Sequence, residues 1–358
     1  MKATTGNFFE DFSVGQRLLH PTPRTIHGGD LALYIALTGD RRAASSSTEF
    51  ARSLGLAREV VHDLLGFHIV FGKTVGDISL NAVANLGYAQ VLFKRPIYPG
   101  DTLIAESEVV GLRELSNGKA GVVYVKSRGE NQKGQEVLSF YRWVMVDKRD
   151  PSTKSGIDQV PELPKEVAVS ELKVPEALNL QRFPDLVRAT GGRHLWEDYE
   201  PGERIHHLTG MTLEEADHTL ATRLYQNTAR VHFDAHAMKS SRFGKRLVYG
   251  GHVLSICHAL SYNGLENVVG MAAWNGGSHA NPTFAGDTLY AWTDVLARAE
   301  LPGRKDLGAL RLRLVGVKNA DPSREDVPLE VVGEGGKTAY DPRVVLALDY
   351  WALIPRKR

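Results

Sequence analysis

The chain has 358 residues, more than one ordinary domain needs, so two domains of about 150 residues each are the natural division. Its composition is 42% hydrophobic and 24% charged, enough apolar material for two cores. A formal net charge of +1 gives no electrostatic case for nucleic acid or for an anionic membrane surface as partner. No apolar run reaches the roughly 18 residues of a membrane-spanning helix, and Met1 to Gly15 lacks the basic and apolar regions of a signal peptide. A single cysteine, Cys257, has no internal partner for a disulfide, which fits a reducing compartment. It lies in the apolar run Val253 to Cys257 and reads as a small buried residue rather than a nucleophile. A cytoplasmic location is expected.

In chain order, the first signal returns later. Glu10-Asp11-Phe12-Ser13-Val14-Gly15-Gln16-Arg17 is echoed by Glu197-Asp198-Tyr199-Glu200-Pro201-Gly202-Glu203-Arg204, at an offset of 187. Asp30 and Asp217, Leu37 and Leu224, and Val61 and Val248 keep that offset. Gly100-Asp101-Thr102-Leu103 and Gly286-Asp287-Thr288-Leu289 differ by 186, and Trp143 and Trp351 by 208. A near-constant offset over such a length marks a duplication. The late jump predicts roughly twenty extra residues in the second copy, placed in the loop Leu301 to Asp326. The expected domains are 1–150 and 194–358. Between them, residues 151–193, rich in Pro, Lys, Glu and Ser, form a linker partly ordered against the domains.

Each copy shows one plan. A helix over Asp30 to Leu37, with Asp30 as an acidic N-cap, is followed by an irregular stretch from Thr38 to Leu56. A long apolar helix then covers Leu64 to Phe71 in the first copy and Val253 to Leu260 in the second. Strands follow at Val91–Phe93, Thr102–Ala105 and Gly121–Val125, and a final strand over Val137 to Val146 is echoed by Val345 to Ile354. One long helix followed by antiparallel strands is an α+β plan, with the helix wrapped by a curved sheet.

Two segments carry chemistry. The first copy holds Leu37-Thr38-Gly39-Asp40 and later Arg95-Pro96-Ile97-Tyr98-Pro99-Gly100-Asp101; the second holds Leu224-Tyr225-Gln226-Asn227-Thr228-Ala229-Arg230-Val231-His232-Phe233-Asp234. Both resemble the MaoC-type dehydratases, the hydratase-2 family of hot-dog proteins, whose motif runs Leu-Thr-Gly-Asp-x-Asn-Pro-Ile-His-x-Asp. The resemblance covers both halves. It implies two tandem hot-dog domains forming a pseudo-dimer, and an activity that adds water to, or removes it from, an acyl-CoA thioester. His232 falls on the family histidine, whereas Asn227 stands where the catalytic aspartate belongs. In the first copy Asp40 is kept but Ser45 replaces the histidine, so neither copy has the complete pair.

Hydrating a conjugated thioester needs a base for the attacking water, an acid for the α-carbon and donors for the enolate-like oxygen between them. His232 is the expected proton-transfer group, with Asn227 holding water or the thioester oxygen through its amide. Asp40 either serves a vestigial second pocket or caps a helix. The family places a short turn at the start of the central helix, and here Tyr249-Gly250-Gly251-His252 matches it. Backbone N–H groups of Gly250 and Gly251 are the expected oxyanion donors. The matching Val61-His62-Asp63 carries an acidic side chain that would repel an enolate. Arg230, where the family usually has proline, suits a second carboxylate on the substrate; Arg41 and Arg42 lie in the matching segment of the first copy. The stretches Val61 to Val75 and Leu247 to Ser255 resemble family members that act on a C5 dicarboxylic enoyl-CoA. Tyr249, Lys245 and Arg246 are further candidates for substrate binding, and Lys94, Arg95 and Arg242 for the CoA phosphates.

No metal-ligand spacing, nucleotide loop or redox motif is evident, so no cofactor is expected beyond the coenzyme A that the substrate carries. Two alternatives stand beside hydration: a hot-dog thioesterase, and a non-catalytic acyl-CoA-binding protein. Oligomeric state is open, since two hot dogs in one chain already make a pseudo-dimer and a homo-oligomer that covers edge strands is equally compatible.

Overall fold

A computed structural model describes residues 2–181 and 183–357. In the first copy, β1 (Arg17–Thr25), α1 (Gly28–Thr38), α2 (Ala43–Ser46), α3 (Thr48–Ser53) and α4 (Asp63–Thr74) precede β2 (Ala82–Phe93), β3 (Thr102–Glu114), β4 (Ala120–Glu130) and β5 (Glu136–Asp147). The linker region carries β6 (Asp158–Gln159) and α5 (Phe183–Thr190). The second copy runs β7 (Arg204–His206), β8 (Met211–Thr212), α6 (Glu215–Leu224), α7 (Arg230–Phe233), α8 (Ala235–Met238), α9 (Gly250–Leu260), β9 (Gly270–His279), β10 (Thr288–Glu300), β11 (Leu307–Lys318), β12 (Glu330–Val332), β13 (Thr338–Tyr340) and β14 (Val344–Pro355). Among the described residues no helix is long and apolar enough to cross a membrane.

The two copies share one antiparallel sheet, in the order β1-β3-β4-β5-β2-β9-β14-β11-β10-β7. The halves meet where β2 pairs with β9, Tyr88 opposite Gly277 and Leu92 opposite Ala273. Helices α4 and α9 lie side by side and antiparallel against this sheet. The ring of His62, at the start of α4, is 5.3 Å from that of His258 near the end of α9, and Phe71 near the end of α4 is 5.8 Å from Tyr249 at the start of α9. Between them His68 Nε2 is 2.8 Å from Ser255 Oγ, a pair 187 residues apart. Residues related by the repeat thus touch each other, which locates the pseudo-twofold axis between the helices. One hydrophobic core runs through both copies, with Phe67 of α4 packed 4.5 Å from Trp274 of β9. Because α4 and α9 are enclosed on both sides, they are buried around almost their whole circumference.

Three details differ from the sequence expectation. Helix α1 starts two residues early, and His27 occupies its N-cap; Asp30 sits in the first turn and accepts the His27 N–H at 2.8 Å. The stretch from Thr38 to Leu56 contains α2 and α3, too short to show a periodic signal. The extra residues of the second copy lie between β11 and β14, where 319–343 replaces the short 131–135 turn and forms the β12–β13 hairpin. Only part of Leu301 to Asp326 belongs to it, because β11 runs through the middle of that segment.

The linker first pairs Asp158–Gln159 with β3 of the first copy, and its later described residues pack on the second copy's sheet. Leu172, Leu178, Leu180 and Phe183 are buried there with Leu307 and Trp351, and Trp351 Nε1 donates to the Val167 carbonyl at 3.2 Å. Close helix packing has a testable cost. A Cβ on Gly72 of α4 would lie 1.9 Å from the Tyr225 carbonyl oxygen. Backbone cannot swing aside, so Gly72→Ala is expected to destabilise the fold by about 1–3 kcal/mol or more, read as a lower urea midpoint. An unchanged midpoint would contradict this packing.

Candidate active site

The antiparallel helices create two pseudo-equivalent ends. At the first-copy end, the α4 N-terminus is filled by side chains. His62 Nδ1 accepts the Leu64 N–H at 3.1 Å, which puts the ring hydrogen on Nε2, 3.2 Å from Asp40 Oδ2. Asp40 Oδ1 also accepts the Arg42 N–H at 2.7 Å. Its pKa lies well below the carboxylate range: burial opposes the shift, but the contact to His62 and the charge of Arg42 outweigh it. Arg42 Nη2 is 2.6 Å from His258 Nε2. Burial and that guanidinium hold the His258 pKa well below the usual value. Asp63 is half-buried, its pKa raised by desolvation, and its Oδ2 accepts the Met271 N–H at 2.9 Å. Asp40, His62 and His258 do bring ligand-type atoms within 4.8 Å of one another. A cation among them would face the Arg42 guanidinium.

A cavity of about 60 Å³ opens at this end, lined by Arg42, Ser45, His62, Asp63 and Met271 among others. That is room for about two waters. This cavity is not lined by His232. Asp63 occupies the helix start where an oxyanion would have to bind.

The second-copy end is built differently. Tyr249 is the N-cap of α9 with no side-chain cap. The His252 and Val253 N–H groups turn back to the Tyr249 carbonyl, whereas those of Gly250 and Gly251 have no acceptor among the described residues. Two free donors at the positive end of a helix suit a developing negative charge. Both glycines are required by close neighbours: a Cβ would lie 2.6 Å from His279 Nδ1 at Gly250, and 2.4 Å from the Tyr249 ring at Gly251.

His232 belongs to the short helix α7, latched to the strand of chain before α9 by the Leu247 N–H to the Val231 carbonyl. Its Nδ1 is 3.0 Å from the Leu247 carbonyl and must donate, so the lone pair is on Nε2. The ring lies 5.5 Å from Tyr249. Burial pulls the His232 pKa down to about 4, so the imidazole is neutral near pH 7. Asn227 is buried and its Oδ1 accepts the Ala229 N–H at 3.1 Å, leaving the NH₂ as its free end. Asp40 makes the same two-residue turn in the first copy, so the motif loop is kept while its chemistry has diverged.

The other expected residues divide. Arg230 is exposed, as is Lys245, whose ammonium rests 4.2 Å above the Phe284 ring. Arg246 is largely buried and paired with Glu215. Lys94 is paired with Glu136 at 2.7 Å. Arg95 lines the first-copy cavity, and Arg242 lies over Phe243.

Two residues near His232 were missed by sequence reasoning. His279, at the end of β9, has a buried Nδ1 with no partner, while its Nε2 is 3.3 Å from the Tyr88 hydroxyl of the first copy. Burial, and then the charge of His232, lower its pKa to about 4. Its counterpart in the first copy is Phe93, and that apolar-to-histidine change between repeats was the available signal. Arg142 of β5 is fully buried. It falls in the alternating inward series Leu138, Phe140, Arg142, Val144 and Val146, so its burial was legible from period-2 patterning.

An uncapped helix start beside a neutral histidine, within a doubled hot dog, is what the MaoC-like class of dehydratases would require. The chain belongs to the mesaconyl-CoA hydratase family, whose model matches residues 2–324. It is 54% identical to a β-methylmalyl-CoA dehydratase of Chloroflexus aurantiacus over 99% of both chains. It is 53% identical to a mesaconyl-CoA hydratase of Cereibacter sphaeroides, over 99% of this chain and 100% of that one. A crystal structure described as a MaoC domain dehydratase from C. aurantiacus superposes with a TM-score of 0.95 at 52% identity, covering 100% of both chains. A double hot-dog protein from Mycobacterium tuberculosis shares the fold, with a TM-score of 0.77 at 24% identity over 98% of this chain and 99% of that one.

Proposed function

We propose that this protein is a hydro-lyase that reversibly hydrates mesaconyl-CoA (2-methylfumaryl-CoA) to β-methylmalyl-CoA, at one site beside the start of α9. Full-length identity to two relatives named for these reactions supports the substrate. The observation that carries the site is the pair of free N–H groups on Gly250 and Gly251 next to a histidine of fixed tautomer.

In this reading the thioester oxygen lies on the Gly250 and Gly251 N–H groups. His232 Nε2 takes a proton from water as the water oxygen bonds to the β-carbon. The electron pair of the double bond moves onto the thioester oxygen, and the N–H donors and helix dipole stabilise it. The enolate then takes a proton at the α-carbon and returns its electrons to the carbonyl. His232 in its protonated form supplies that proton. The desolvation that makes it a weak base makes its conjugate a strong acid, so transfer to carbon is downhill. Asn227 cannot carry a proton, and its NH₂ holds the water. Tyr88, its pKa raised by burial, donates to His279 Nε2; Nδ1 then bears a hydrogen aimed beside Gly250. Addition of water forms a C–O and a C–H bond with no net oxidation or reduction, so this mechanism calls on no cofactor beyond the CoA on the substrate. A thioesterase would need a nucleophile at the motif position, and Asn227 is none.

Incubating the protein with mesaconyl-CoA, while following enoyl-thioester absorbance and free thiol, tests this reading. Loss of absorbance without thiol is expected; thiol release would establish a thioesterase instead. The pH dependence is a second test. With the His232 pKa near 4, kcat/KM should stay on its plateau from pH 7.5 to about pH 5.5, below the limb near 6.5 that an ordinary histidine gives. Stability should move first. His207, His232 and His279 have folded pKa values of about 4, and His252 about 3, all lowered chiefly by burial. Below about pH 6.5 the unfolded chain binds protons that the folded one refuses, so stability falls as pH drops from about 6.5 towards 4. A urea midpoint constant from pH 7 to pH 5 would contradict these neutral, buried histidines.

A further inference from the structure

Arg142 is an isolated cation in a dry place. It is 0% exposed, and among the described residues no carboxylate pairs with it. Nη2 donates to Thr74 Oγ1 at 2.8 Å and to Ser79 Oγ at 3.5 Å, but Nε and Nη1 have no hydrogen-bond partner. The guanidinium lies 4.3 Å above the Phe71 ring. Burial lowers its pKa to about 10, with the nearby Tyr88 and Tyr249 opposing the shift, and it stays charged at neutral pH. Burying a lone charge costs several kcal/mol unless something compensates it. A ring cation–π contact and two hydroxyls, the second at the long limit, supply only part of that.

Its surroundings are those of the proposed site. Tyr88, opposite Arg142 in the β2–β5 pairing, is the hydroxyl that reaches His279. Tyr249, the N-cap residue of α9, also feels the Arg142 charge, as does His20 of the first copy, and Phe71 beneath the guanidinium is 5.8 Å from Tyr249. Arg142 therefore stands at the His232 end of the helix pair, contributed by the first copy to a site whose proton chemistry belongs to the second. An unpaired fork of N–H groups is the geometry that takes a carboxylate bidentately.

We propose that Arg142 is the specificity residue that binds the distal carboxylate of the acyl group, its free Nε and Nη1 hydrogens directed to the two oxygens. This rests on the mesaconyl-CoA hydratase reading above. It assigns the second carboxylate to a buried arginine of the first copy in place of the exposed Arg230. The bound substrate would supply the missing counter-charge, and an acyl-CoA without that carboxylate would leave the arginine unpaired. A site built for a polar group rejects the analogue that lacks it strongly.

The test compares mesaconyl-CoA with 2-methylbut-2-enoyl-CoA, in which a methyl replaces the distal carboxylate. The wild-type protein should prefer mesaconyl-CoA by at least a hundredfold in kcat/KM. In Arg142→Met and Arg142→Lys the preference should collapse, through loss on mesaconyl-CoA with little loss on the neutral analogue. Equal losses on both substrates would assign Arg142 to structure and overturn the proposal. So would an unchanged preference, or a preference lost in Arg230→Ala instead. Should the variants not fold, inhibition of the wild-type protein decides: succinyl-CoA is expected to inhibit at least tenfold more tightly than butyryl-CoA, and equal inhibition overturns the proposal. Absence of any hydration by the wild-type protein would instead refute the function reading, which separates the two failures.

Discussion

Replacing His232 with alanine is expected to lower kcat/KM for mesaconyl-CoA hydration by at least ~100-fold, the usual scale for loss of general acid–base transfer. The effect should be larger than for a group with a single role, because His232 both takes the proton from water and returns it to carbon. His232→Gln sharpens the test. Its amide can still donate to the Leu247 carbonyl that His232 Nδ1 now reaches at 3.0 Å, so the α7 latch survives, but glutamine moves no proton. Both variants should therefore be similarly inactive, while a fluorescent CoA ester still binds. Near-wild-type turnover in the glutamine variant would show that the histidine only positions the loop, and the site assignment would fall.

Asp40→Ala is expected to act on stability. It leaves the Nε2 hydrogen of His62 and the Arg42 charge without their carboxylate in a buried cluster. Breaking a buried pair from one side costs about 3–5 kcal/mol, a large share of a typical domain's total. Equilibrium unfolding in urea at pH 7 reads the loss directly. The Asp40 pKa is lowered in the folded state, so its contribution is fully present above the unfolded carboxylate value near 4 and fades as pH falls below it. The gap between wild type and variant should therefore narrow below pH 4. Hydration per folded molecule should fall far less than in His232→Ala, because Asp40 reaches α4 through His62 and has no contact to His232. A stable but inactive Asp40→Ala would reverse the assignment and make the first-copy end the reaction site.

Much of the frame was legible because it depends on local pattern. The repeat offset, the apolar helices and the alternating strands read out α4, α9 and the antiparallel strands. Their bounds were short because burial on both faces blurs a helix start: α9 begins at Gly250, three residues before the apolar run. The insertion was misplaced because a charged, proline-containing loop and the start of a buried strand are not separable by composition when Leu307 to Lys318 itself carries arginines. At the site, sequence alone singled out His232, Asn227, Gly250 and Gly251, since a motif and a glycine turn are contiguous in the chain.

What only tertiary structure decided was which groups have partners. Nothing in the sequence tells that Arg246 meets Glu215 while Arg142 meets no carboxylate, or that His62 points Nε2 at Asp40 while His232 turns Nδ1 to a carbonyl. Those facts arise from antiparallel packing of α4 on α9, which brings Tyr88 and Arg142 of the first copy to the helix start of the second. Residue type sets what a group can donate or accept. Burial and long-range pairing decide which of those capacities are left over for a substrate.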